Sequence, residues 1–73
     1  MMTRYLVTLA FELLYENNPE PENGSWYDDL DEAQAAAIEC SYDDSVWAVY
    51  EVIDGHLGEM LALAFYCNLF VRD

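Results

Sequence analysis

A chain of 73 residues is a single domain near the lower size limit for folding alone, and at 55% hydrophobic and 15% aromatic it is too apolar for a disordered acidic tail. Fifteen Asp and Glu stand against two basic residues, Arg4 and Arg72, giving a formal net charge of -13 without any lysine. That balance argues against direct binding of nucleic acid or anionic membranes, both of which need clustered Lys and Arg, and its self-repulsion points to a partner, a salty environment or a demand for solubility.

From residue 5 to residue 15, the odd positions Tyr5, Val7, Leu9, Phe11, Leu13 and Tyr15 alternate with a more polar set that includes Thr8, Glu12 and Glu16. This period of two predicts a strand over 5–15. Residues 17–25 are rich in Asn, Pro, Gly and Ser and read as a loop. Asp29 followed three residues later by Glu32 resembles a capping box, and Asp31 and Glu32 lie in a first turn where the helix dipole favours anions. The pattern predicts a helix over 30–40 whose inward face is Leu30, Ala33, Ala36, Ala37 and Cys40, small enough to lie close to a sheet.

Residues 45–53 read as a second strand, apolar on both faces, and Asp54-Gly55 signals a hairpin. Residues 59–71 then form the returning strand. Glu59 to Ala64 are good helix formers, and a helix starting near Gly58 would be apolar nearly all round, but the aromatic and β-branched residues from Phe65 to Val71 favour the strand. The expected fold is α+β: a small antiparallel sheet in the order strand, helix, strand, strand, with the helix on one face and the last strand, the most apolar, at the centre. On the other face Leu6, Leu14, Tyr50, Tyr66 and Phe70 would form a patch suited to a homodimer or a partner.

Catalytic chemistry has few candidates. His56, the only histidine, falls at the predicted hairpin tip, and neither Cys40 nor Cys67 has a histidine or basic residue nearby in sequence to activate it. Neither an enzyme activity nor a cofactor is expected, and both cysteines are expected to be small buried hydrophobes. Asp28, Asp29, Asp31 and Glu32 are hard oxygen ligands, yet they lack EF-hand spacing and read as a capped helix start, so no metal site is expected. No segment is apolar for long enough to span a bilayer, and the N-terminus lacks signal-peptide order, so the expected compartment is the cytoplasm.

The segments SWYDDLDE and SYDDSVW set Tyr and Trp beside carboxylates with no basic residue between them. In size, in charge and in this pairing the chain resembles the small phage-encoded DNA-mimic inhibitors, acidic anti-CRISPR proteins among them. The resemblance implies a protein that acts in the cytoplasm of a host bacterium and occupies the basic groove of a nucleic-acid-binding defence complex, a CRISPR effector first among them. It implies that Asp28, Asp29, Asp31, Glu32, Asp43 and Asp44 meet the Lys and Arg that hold phosphates, with Trp26, Tyr27 and Tyr42 as anchors. Two readings compete with it: an accessory subunit docking through its apolar sheet face, and a domain adapted to molar salt.

Overall fold

The computed structural model describes residues 1–72. Five antiparallel strands and one helix follow in the order β1 (Thr3–Leu9), β2 (Ser25–Tyr27), α1 (Leu30–Cys40), β3 (Trp47–Ile53), β4 (His56–Phe65) and β5 (Asn68–Val71). In the sheet the strands lie β2-β1-β3-β4-β5. This is the α+β fold expected, with a single helix against one face. The centre is β3, however, and the last strand is an edge.

Alternation decides the two faces. Val7, Val49, Ala62 and Ala64 point to the helix, where they close around Ala33 and Ala37, and Tyr5, Tyr27, Leu30, Trp47 and Leu69 pack at the margin. Ala33 and Ala37 are fully buried, so at the centre of the contact methyl groups stand between the helix backbone and the strands, with Leu30 at the margin. Such an approach needs small residues on the helix. The 11-residue helix is too short to be stable alone and depends on this contact.

The helix begins where expected, but without the expected cap. Asp29 holds the extended N-cap conformation and its carbonyl accepts the Ala33 N–H at 3.0 Å, while its side chain makes no capping bond. At the C-terminus, the Ser41 N–H reaches the carbonyls of Ala37 and Ile38. The Ser41 hydroxyl donates back to Ile38 O at 2.9 Å and, with the Ser41 carbonyl, accepts the Cys67 N–H at 3.1 Å. These bonds fasten the β4–β5 turn to the end of the helix.

Three strand boundaries differ from the sequence expectation. β1 ends at Leu9, which pairs with Trp47; the Ala10 N–H still reaches Val46 O at 2.8 Å, and the Glu12 N–H then turns back to Leu9 O. The alternation from 11 to 15 has no strand to pair with. Phe11, Leu13 and Tyr15 are instead exposed, at 90%, 72% and 67%. The loop assigned to 17–25 gives up Ser25 to β2, which pairs Val7 with Ser25, Leu6 with Trp26 and Tyr5 with Tyr27. The returning segment is two strands, not one. Tyr66 and Cys67, at φ 48° and 62°, form a tight turn that closes Phe65 on Asn68.

The second face is covered in part by chain, without a helix. Pro19 is buried and the Leu57 N–H donates to Glu16 O at 2.8 Å, while Glu12 holds the loop shut by accepting from Asn23 N and Nδ2. Leu6 is fully buried here, not exposed for docking. A Cβ on Gly24 would lie 2.6 Å from Pro21 Cγ and 3.0 Å from Leu6 Cδ1, so this close passage requires glycine. Leu14 and Tyr50 are half-buried, and only Tyr66 and Phe70 of the expected patch stand open. Asp54 and Gly55, at φ 50° and 83°, make the hairpin turn expected between β3 and β4.

Candidate functional site

Twelve of the fourteen described acidic residues are exposed, and Glu12 and Glu51 are half-buried. The arrangement has a direction. Asp28 and Asp29 precede α1; Asp31, Glu32 and Glu39 lie along its exposed side; Asp43 and Asp44 follow it. Glu32 and Glu39, seven residues apart, share one helical face. The track therefore runs the length of the helix, about 16 Å at 1.5 Å per residue. Over that distance duplex DNA presents on the order of nine phosphate charges, counted over both strands. Seven carboxylates line the track.

Neutralisation from within is slight. Among the described residues the ion pair formed is Arg4 Nε to Asp28 Oδ1, at 3.8 Å, with the Asp28 side chain 93% exposed. A pair so wet contributes little to stability. Asp43 is the carboxylate with a clear local preference for charge: the Ser45 N–H donates to its Oδ1 at 2.9 Å, and that bond, with the Ser45 side chain second, holds its pKa below the usual range.

The structure divides the expected site residues between the two ends of α1. Asp28, Asp29, Asp31 and Glu32 gather at the N-terminal end, Tyr42, Asp43 and Asp44 at the other. Trp26 and Tyr27 are not free anchors. Tyr27 packs against the helix-side core, and Trp26, on the opposite face, is half-buried with the Arg4 guanidinium 4.5 Å above its ring. Tyr42 is 73% exposed.

Of the aromatics near the second end, the sequence pattern put Tyr66 in the patch on the sheet's other face and gave Phe11 no surface role. The groove beside Asp44 and Ser45 is lined also by Leu9, Phe11, Glu12 and Val46. The Tyr66–Cys67 turn sits against Ser41, and Phe65 meets Tyr66 edge to face with ring centroids 4.3 Å apart. Phe11 was legible as an apolar side chain next to an acid; what hid it was its assignment to a paired strand.

Elsewhere, a larger groove lies between the 17–20 segment and the face bearing Arg4, Trp26 and Val52, with Arg4 and Glu20 as its ionisable side chains. His56 opens β4 instead of sitting at the hairpin tip, and its Nδ1 lies 3.1 Å from Asn17 Oδ1. Both cysteines are free: Cys40 is half-buried, its thiol pushed up by burial and then by Glu39, whereas Cys67 is exposed and not the buried hydrophobe expected. Among the described residues no helix is long and apolar enough to cross a membrane, and no group of His, Cys, Asp and Glu converges in a way that would hold a metal ion.

Comparison with protein families, curated proteins and solved structures finds no match.

Proposed function

We propose that the protein is a non-catalytic DNA mimic that binds the nucleic-acid groove of a bacterial defence complex, with a CRISPR effector as the first candidate, and blocks target DNA stoichiometrically in the cytoplasm of the host cell. The observation that supports this most is the track of seven exposed carboxylates along α1, of which, among the described residues, Asp28 alone forms an ion pair within the chain. Lys and Arg that hold phosphates meet there a comparable charge density on a rigid element, and charge of this kind accelerates encounter.

The experiment is capture by the tagged chain from lysates of defence-bearing bacteria at low salt, followed by elution with duplex DNA. Release of a nucleic-acid-binding complex by the duplex supports mimicry. A captured partner that ignores both DNA and salt contradicts it. A second reading, docking as an accessory subunit, draws on the β5 edge, where Phe70 and Val71 are 62% and 59% exposed. Binding abolished by Phe70→Ser but indifferent to neutralising Asp28, Asp29, Asp31 and Asp43 would favour it.

A further inference from the structure

The triplet Tyr-Asp-Asp occurs twice, as Tyr27-Asp28-Asp29 before α1 and Tyr42-Asp43-Asp44 after it. At the first the chain fills the place itself: Arg4 lies over Trp26 at 4.5 Å with its Nε 3.8 Å from Asp28, a guanidinium held between an indole face and a carboxylate. At the second the same kinds of group stand open. Tyr42 is 73% exposed, Tyr66 53% and Phe11 90%, and Asp43 and Asp44 are exposed as well. Among the described residues no Lys or Arg pairs with either aspartate.

Topology brings these residues together. The Leu9–Trp47 and Trp47–Ala64 pairs mark one end of the sheet, where β1 stops, β3 starts and β4 finishes. Phe11 and Asp44 line one groove there, and the bonds from Cys67 N to Ser41 bring the Tyr66 turn beside Tyr42. Bulky apolar side chains exposed together on an anchored surface mark an interaction site. A second copy is a poor occupant, since it brings the same charge of -13. The complementary surface is cationic.

Resting on the DNA-mimic reading, we propose that this end of the sheet is where arginine side chains of the partner are gripped, each guanidinium stacking on Tyr42 or Tyr66 while it pairs with Asp43 or Asp44, with Phe11 as the apolar wall beside Asp44. Arginine fits better than lysine: its planar, weakly hydrated guanidinium stacks on rings and forks onto carboxylates, whereas an ammonium is a compact and strongly hydrated charge. The opposite end, already occupied by Arg4, contributes charge without a free ring.

The test uses the full chain and two short peptides of equal length and charge, one built on Arg and one on Lys with the same Gly and Ser spacers, titrated at low salt by fluorescence anisotropy. The Arg peptide is expected to bind about two- to fivefold more tightly, the margin of an exposed cation–π contact. Tyr42→Ser combined with Tyr66→Asn, which suits the left-handed turn, is expected to erase that margin and leave Lys-peptide binding unchanged. Asp43→Asn with Asp44→Asn weakens both peptides. Equal affinities for the two peptides, or a margin that survives loss of both tyrosines, overturns the inference while salt-dependent binding of the Lys peptide leaves the acidic-surface reading standing. Binding of neither peptide overturns both. A mass of two chains in the absence of peptide, reduced to one by Phe11→Ser, assigns this end to a second copy and overturns the inference as well.

Discussion

Substituting Leu at Ala37 and, separately, at Ala35 tests how closely the helix lies on the sheet. The residues are two apart on α1; Ala37 is fully buried among Val7, Val49, Ala62 and Ala64, while Ala35 is exposed. Leu adds three carbons at either site and carries nearly the same helix propensity as Ala, so intrinsic preference cancels to within a few tenths of a kcal/mol. At Ala37 those carbons meet strand side chains already in contact with the helix, and overpacking of that kind costs about 1–3 kcal/mol. For a domain this small that is a fall in Tm of about 5–20 °C, against a total stability of roughly 4–11 kcal/mol. At Ala35 the change stays within about 0.5 kcal/mol. Thermal unfolding followed by far-UV circular dichroism, at one salt concentration and one protein concentration, reads both. Equal Tm values for the two variants, or the larger loss at Ala35, would refute the close helix–sheet contact.

The β4–β5 turn places Cys67 at φ 62°, a conformation glycine adopts without strain, so Cys67→Gly is expected to stabilise by about 0.5–1 kcal/mol; a lower Tm would contradict the turn assignment. The half-buried Cys40, held above the ordinary thiol pKa, should react with iodoacetamide more slowly than exposed Cys67, and peptide mapping that found Cys40 modified first would count against the packing of the helix end. The same shift fixes a pH dependence. Because the folded-state pKa is the higher, Cys40 contributes stability below the ordinary thiol range and loses it as pH rises through the folded value, so Cys40→Ala should flatten the alkaline decline in Tm. With repulsion largely uncompensated, Tm should also climb as KCl rises from millimolar to physiological levels; a cooperative fold that appears only in molar KCl would instead favour salt adaptation.

The helix bounds were legible because their signals are local: an N-cap residue at Asp29, acids in the first turn and small residues at helical spacing, whereas the capping bond expected of the Asp29 side chain is not made. The Asp54-Gly55 turn was legible for the same reason, since those residue types adopt left-handed backbone readily. Tyr66 and Cys67 do not, and their turn arises from what surrounds it, chiefly the bonds that tie Cys67 to Ser41, far away in sequence. β1 shows the opposite failure. Its alternation continues to Tyr15, but a strand needs a neighbour, and pairing ends where β3 begins. Strand order was lost in the same way: apolar content suggested β5 for the centre, whereas the two tight hairpins β3–β4 and β4–β5 carry the chain stepwise to an edge. As for the surface, the sequence placed the carboxylates but not the occupants around them. Only the fold brings Arg4 onto Trp26 and Phe11 beside Asp44.

Whether the acidic track takes the place of DNA is decided by titrating the chain into a captured partner complex already bound to labelled duplex DNA and following the DNA by anisotropy. Release of the DNA is expected at one chain per binding site. The variant neutralised at Asp28, Asp29, Asp31, Glu32, Asp43 and Asp44, still folded by circular dichroism, is expected to release none. A ternary complex in which chain and DNA are bound together, or equal release by the neutralised variant, would contradict DNA mimicry.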